Sequence, residues 1–217
     1  MKMMGSKILE TERLILKPQT FEEQKRLWEI LTSTYIPTDE RLLINGQLPK
    51  VYSYYYSGPK IDIENWKSQE KFYKKKYSKE IGNDVFQWTI YKKEDNSVIG
   101  QISAQENHDE EKNPNNDLSI RDIGWYIDPK EFGKGYATEA ATAVLDYMFN
   151  EVEITAIKTG AAILNQGSWR IMEKLGFIRN MEGDHEYQYP FVPYPVMCCS
   201  FDITKEQYLE HKKQKTR

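Results

Sequence analysis

The chain reads as a mixed α/β protein, α+β in arrangement, with one central, mostly antiparallel sheet flanked by helices. Three observations predict this. Val85 to Tyr91 and Val98 to Glu106 form a hairpin pattern turned at residues 92–97. Ile123 to Ile127 reads as a buried strand closed by Asp128-Pro129, and a glycine loop then leads into a helix. On that helix Ala137, Ala140, Ala141, Val144, Leu145 and Met148 share one stripe. Repeated β-α-β units, which would imply a parallel doubly wound sheet, are missing.

In chain order, Leu9 to Lys17 is predicted as a strand. Phe21 to Leu31 follows as a helix with Thr20 at its N-cap. From about residue 37 to 84 the pattern breaks into an insertion, punctuated by Pro37, Gly46, Pro49, Gly58 and Pro59 and crowded with Tyr52, Tyr54, Tyr55 and Tyr56. A helix is expected from Ile61, with Trp66, Tyr73 and Tyr77 on one stripe. After the hairpin, His108 to Asp117 lacks apolar periodicity and reads as a loop. The glycine-initiated helix extends to about Asn150. A strand from Ile154 to Leu164, a helix from Ser168 to Leu175, a strand from Pro195 to Ile203 and a polar helix from about Thr204 complete the chain. Residues 1–217 are expected to form a single domain carrying that one insertion.

Composition narrows the function classes. Of 217 residues, 39% are hydrophobic and 29% charged, as in ordinary water-soluble domains, and the formal charge of -3 argues against a nucleic-acid surface. No apolar run is long enough to span a bilayer, and no signal-peptide core follows Met1 to Lys7, so a cytoplasmic protein without a membrane partner is expected. Cys198 and Cys199 are adjacent in a strand-like run and point to opposite faces, so neither a disulfide nor a metal site is expected.

The chemistry is concentrated in Lys130-Glu131-Phe132-Gly133-Lys134-Gly135-Tyr136-Ala137-Thr138-Glu139-Ala140. Strand, glycine loop and helix N-terminus in that order make an anion site. Glycine lets the backbone approach the ligand, and the first N–H groups of the helix lack intrahelical partners. A pyrophosphate is the expected ligand. A dinucleotide fingerprint would need glycine where Thr138 stands, and a nucleoside-triphosphate loop would need Lys-Ser/Thr after Gly135, where Tyr136 stands.

What remains resembles the acetyl-CoA loop of the GNAT acetyltransferases, Gln/Arg-x-x-Gly-x-Gly/Ala, with Lys130 at the first position. Asn165-Gln166-Gly167-Ser168-Trp169-Arg170-Ile171-Met172-Glu173-Lys174-Leu175-Gly176-Phe177 is similar to that family's second motif. Leu9 to Pro18 resembles the first strand of its ribosomal-protein-alanine N-acetyltransferase branch. The resemblance implies the GNAT fold, with the sheet splayed by a bulge at the acetyl-CoA site. It also implies acetyl transfer from acetyl-CoA to an amine by direct attack in a ternary complex, without a metal.

By the same resemblance, Tyr126 and Ile127 would present main-chain groups to the pantetheine arm. Backbone N–H groups of Gly133, Lys134, Gly135, Tyr136, Ala137 and Thr138 would hold the pyrophosphate, with the Lys134 ammonium either adding charge or merely solvated. Asn165 would offer its amide to the pantetheine chain, or else cap the next helix. Where many relatives carry an acidic Tyr this chain has Met172, whose sulfur cannot donate a proton. Ser168 is the substitute acid, or a helix-start hydroxyl. The general base is open among Glu106, His108, an acid between Asp117 and Asp122, and a water chain. Tyr52, Tyr54, Tyr55 and Tyr56 would either wall the acceptor pocket or pack the insertion. The acceptor is a protein N-terminal amine or a small-molecule amine, and the protein a monomer or homodimer. A non-catalytic acyl-CoA-binding sensor on the same fold is the competing class.

Overall fold

In the computed structural model, residues 1–33, 70–71, 74, 84–107, 113–163, 165–188 and 195–215 are described. The strands are β1 (Leu9–Glu10), β2 (Leu14–Pro18), β3 (Gln87–Lys92), β4 (Val98–Glu106), β5 (Ile120–Ile127), β6 (Ala156–Ala162), β7 (Ile178–Tyr187) and β8 (Val196–Thr204). They form one eight-stranded sheet in the order β1-β2-β3-β4-β5-β6-β8-β7. Every neighbouring pair is antiparallel except β5 with β6. The helices are α1 (Gln24–Ser33), α2 (Tyr136–Tyr147), α3 (Gln166–Lys174) and α4 (Lys205–Lys215), and α2 runs on through a wider π turn to Val152.

The predicted stripe of α2 is the centre of the core. Ala140, Ala141, Val144, Leu145 and Met148 are fully buried against Leu14, Leu16, Trp88, Ile90, Ile102 and Ile123. The two alanines let the helix lie close to the sheet, while each buried Val or Leu contributes about 1.5–3 kcal/mol. The N-terminal segment straps this layer. Trp88 donates its indole N–H to Lys7 O at 2.7 Å, and the Tyr147 hydroxyl donates to Gly5 O at 2.6 Å.

Three elements differ from the sequence reading. The first strand is broken into β1 and β2 by a tight turn in which Thr11 N–H bonds Leu14 O at 3.0 Å, and the Thr11 hydroxyl accepts from Leu14 N–H at 2.9 Å. Thr20 caps as expected, its hydroxyl oxygen accepting from Glu22 N–H while its own N–H and O–H donate to the Glu23 carboxylate, but regular helix starts only at Gln24. The edge strand β7 was not anticipated. Its side chains are mostly polar, and its register breaks so that Met181–Asp184 oppose Cys199 alone. Side chains hold that bulge, through an Arg179–Asp184 ion pair and the Ser200 hydroxyl donating to Gly183 O. Cys198 and Cys199 are buried free thiols. Cys199 donates to Ala161 O at 3.1 Å, and burial pushes its pKa up.

Candidate active site

The one parallel pair opens almost at once. β5 and β6 are in register only at Ile120↔Ala156 and Arg121↔Ile157. Beyond these the last tie is the Thr159 hydroxyl donating to Ile123 O at 3.0 Å. On its other side β5 pairs with β4 without a shift, from Glu106↔Arg121 to Gly100↔Ile127. The sheet is therefore splayed, but by β6 turning away and not by a bulge between β4 and β5.

This register corrects one expectation. Asp128 N–H donates to Ile99 O at 2.7 Å. In an antiparallel ladder backbone groups face a given neighbour at every second residue, so Tyr126 also faces β4, at Gln101. The Tyr126 N–H and C=O are thus turned away from the opening. The backbone groups aimed into it belong to Trp125 and Ile127, in phase with Ile123, whose carbonyl meets Thr159. The Tyr126 side chain lies on the face toward α1, where its hydroxyl donates to Gln101 Oε1 at 3.1 Å and Gln19 Nε2 donates to the same oxygen at 2.7 Å.

The strand then delivers the loop. Asp128 accepts from Lys130 N–H at 3.0 Å and starts a 3₁₀ turn, Pro129–Glu131. Gly133 (φ +76°) and Gly135 (φ +83°) take left-handed conformations that disfavour side chains. A Cβ at Gly133 would meet nothing within 4 Å, so this stretch of backbone is open to a ligand. The first helical N–H to find a carbonyl is that of Glu139, bonding Gly135 O at 3.0 Å. Tyr136, Ala137 and Thr138 have no carbonyl one turn back, and their N–H groups fit an anion.

Each carboxylate near the loop is paired with a cation from another element or from the loop itself. Arg26 of α1 pairs with Asp128. Glu131 takes Lys134 at 2.8 Å and Lys92 of β3 at 3.6 Å, so the Lys134 ammonium lies on Glu131. Glu139 accepts from the Thr11 hydroxyl at 2.5 Å, Arg13 N–H at 2.9 Å and Arg13 Nε at 2.7 Å. Burial pushes the Glu139 pKa up, but these hydrogen bonds and the Arg13 charge outweigh it and hold the carboxyl below its usual range. The sign follows: Glu139 stabilises the fold above the ordinary carboxylate pKa, and loses that contribution as pH falls through its depressed one. Glu139→Gln is expected to be less stable than the parent at pH 7, with the gap closing below about pH 4, as read by urea unfolding across pH.

The opposite lip belongs to β6. Asn165 is the N-cap of α3, its side-chain oxygen accepting from Ser168 N–H at 3.3 Å. Ser168 is half-buried in the first turn of α3, and Met172 is buried in the core. The glycine loop and the Asn165–Ser168 turn thus follow the two strands that diverge, and flank one opening.

Glu106 is not brought to that opening. It shares a face with Ile102 and Ala104, which are turned to the α2 core, and it sits opposite the fully buried Arg121. The guanidinium of Arg121 has its Nε unpaired among the described residues and lies over Phe86 at 5.3 Å, and the charges of Glu106 and Asp84 favour it there. Asp122, by contrast, is exposed and shares the α1 face with Gly124 and Tyr126. Gly124 of β5 and Gly160 of β6 lie on the two strands beyond their shared register, paired on their outer sides with Ser103 of β4 and Ser200 of β8. The fully or largely buried polar residues Ser103 and Ser200 border the opening on β4 and β8. Tyr52, Tyr54, Tyr55, Tyr56 and His108 lie outside the described residues. Among the described residues no group of three His, Cys, Asp or Glu is arranged to hold a metal, and no helix is long and apolar enough to cross a membrane.

A splayed parallel pair ending on a two-glycine helix start is the arrangement that the resemblance to the acetyltransferases implies. Residues 30–178 match the family model of the acetyltransferase (GNAT) domain, and the chain belongs to that family. It is 44% identical over 55 residues, 25% of its length, to a Bacillus subtilis (strain 168) protein named probable N-acetyltransferase YjcK. The chain spans only 30%, 34% and 65% of the lengths of three curated relatives it matches. A GNAT-family acetyltransferase from Bacillus anthracis superposes with a TM-score of 0.64 at 23% identity, over 92% of this chain and 99% of that one. Mutant forms of the spermidine/spermine N-acetyltransferase SpeG from Vibrio cholerae superpose with a TM-score of 0.62 at 15% identity, over 93% and 99%. Both likenesses are of fold.

Proposed function

We propose that this protein transfers an acetyl group from acetyl-CoA to an amine by direct attack in a ternary complex, as a single N-acetyltransferase domain in the cytoplasm. The observation that carries this reading is the opening between β5 and β6, with the glycine loop at its end. The backbone groups of Trp125 and Ile127 suit an extended amide-bearing arm, and the N–H groups of Gly133 to Thr138 suit the pyrophosphate. Asn165 keeps its side-chain nitrogen as a further donor to that arm, its oxygen being used as the cap.

On the α1 face the acceptor amine would approach over Gly124 and Gly160, two residues without side chains of their own. Asp122 takes the role of base, accepting the ammonium proton directly or through water. Ser168 takes the role of acid toward the departing thiolate. Tyr52, Tyr54, Tyr55 and Tyr56 are proposed to wall the acceptor pocket. The acceptor is a small amine or a protein N-terminal amine, and the ribosomal-protein-alanine branch remains the template for the latter.

The test is a screen of peptides and small amines, polyamines included, for CoA release. Turnover with any of them supports the proposal. Tight acetyl-CoA binding with no acceptor turned over would instead make the protein a sensor. With an acceptor in hand, Ser168→Ala and Asp122→Asn are each expected to lower kcat roughly ten- to a thousand-fold, at or below the usual range of acid–base groups, with little change in acetyl-CoA affinity. Full turnover by Ser168→Ala would return that hydroxyl to its place at the helix start.

A further inference from the structure

From Asp128 to Glu139 the loop carries three carboxylates, Asp128, Glu131 and Glu139, against two lysines, Lys130 and Lys134. Unpaired, that excess would repel the anion its backbone is shaped to hold. Glu139 lies within the first turn of α2, one residue beyond the N–H groups that have no partner.

Arg13, in the turn between β1 and β2, meets this carboxylate and the loop together. Its Nη2 lies 2.6 Å from Glu139 Oε2, and its Nη1 donates to Lys134 O at 3.0 Å. The guanidinium stacks over the Tyr136 ring at 4.6 Å, and Nη2 would lie 3.5 Å from a Cβ at Gly135. Lys134 O is thereby held by the guanidinium. The Arg13 backbone N–H and the Thr11 hydroxyl hold the second carboxylate oxygen, so Glu139 cannot swing toward a ligand. The side chain of Arg13 is 44% exposed, against 17% for Glu139, so the guanidinium adds positive potential at the surface while the carboxylate is withdrawn.

We infer that Arg13 is a positioning residue for the donor: it cancels Glu139 and fixes the Lys134–Gly135 backbone, so that the glycine loop binds the pyrophosphate of acetyl-CoA. This rests on the proposed donor. The segment that resembles a mere opening strand is, on this reading, part of the anion site.

Calorimetric titration of acetyl-CoA into the parent, Arg13→Ala, Glu139→Gln and the double variant tests it, with Tm measured on each. Arg13→Ala is expected to weaken binding about ten-fold or more, raising KM for acetyl-CoA with kcat at saturating donor nearly kept. Adding Glu139→Gln should recover most of that loss, because the uncancelled charge is gone. Arg13→Lys keeps the cation but loses the fork that reaches Glu139 and Lys134 O together, so it should bind between the parent and Arg13→Ala, and it guards against a misfolded alanine variant. Parent-like binding by Arg13→Ala would overturn the inference. So would a double variant as weak as Arg13→Ala, which would reduce Arg13 to mechanical support. Failure of the parent itself to bind acetyl-CoA would remove the proposed function, and this inference with it.

Discussion

Gly135→Glu is expected to abolish acetyl-CoA binding while leaving the protein folded. Gly135 sits at φ +83° immediately before α2, and any side chain there occupies a left-handed conformation that costs about 1–2 kcal/mol. That strain alone does not unfold a domain of this size. The charge matters more. A carboxylate on this residue stands beside the N–H groups of Tyr136, Ala137 and Thr138, where the phosphates are proposed to bind, and unit charges about 4 Å apart near a protein surface repel by about 4 kcal/mol. Arg13 is close enough to be drawn to it, but is already engaged by Glu139 and Lys134 O. The expected loss is about 100-fold or more in affinity. Gly135→Ala separates strain from charge and should lose far less. Calorimetry giving parent-like affinity in a folded Gly135→Glu protein would remove the loop as the donor site.

Gly100→Ala is expected to be the most destabilising single methyl addition in the sheet. An added Cβ would lie 2.2 Å from Tyr126 O, 3.0 Å from Ile127 Cδ1 and 3.1 Å from Ile127 Cα. Two of these three are backbone atoms of the neighbouring strand, which no rotamer change can relieve. The strands must separate, and ladder hydrogen bonds between β4 and β5 with them. Overpacking of this kind costs about 3 kcal/mol or more, which in a chain of this length lowers Tm by about 6–12 °C. The shift falls on Ile127, whose backbone faces the opening, so acetyl-CoA affinity should drop as well. A thermal melt within about 2 °C of the parent would show that the two strands do not touch as described.

What the sequence disclosed was governed by local rules. The two glycines and the α2 stripe were legible because left-handed turns and a 3.6-residue period are written in neighbouring residues. The cap at Thr20 was legible for the same reason. β7 was not, since its pairing rests on backbone bonds and its bulge consumes the alternation that would have marked it. The substitution of Trp125 for Tyr126 as the residue facing the opening depends on the register against β4, which no single strand encodes. Glu106 and Asp122 look alike in sequence, each a carboxylate at or near the end of a strand. Only the sheet's two faces tell them apart, one turned to the buried Arg121 and one to α1. Arg13 and Glu139 are 126 residues apart, and their meeting could not be read from either segment alone.

The short register between β5 and β6 makes the sheet behave as two plates joined along a brief seam. One plate carries β1 to β5, the other β6, β8 and β7, and the seam is Ile120–Arg121 against Ala156–Ile157, with Thr159 as its last stitch. Past that stitch Trp125 and Ile127 have ladder groups that no strand among the described residues answers. A donor whose arm lies there would act as the missing length of strand and hold the plates at a fixed angle. Stability and substrate binding would then be one thermodynamic quantity, and the protein would be most resistant to unfolding when saturated with donor.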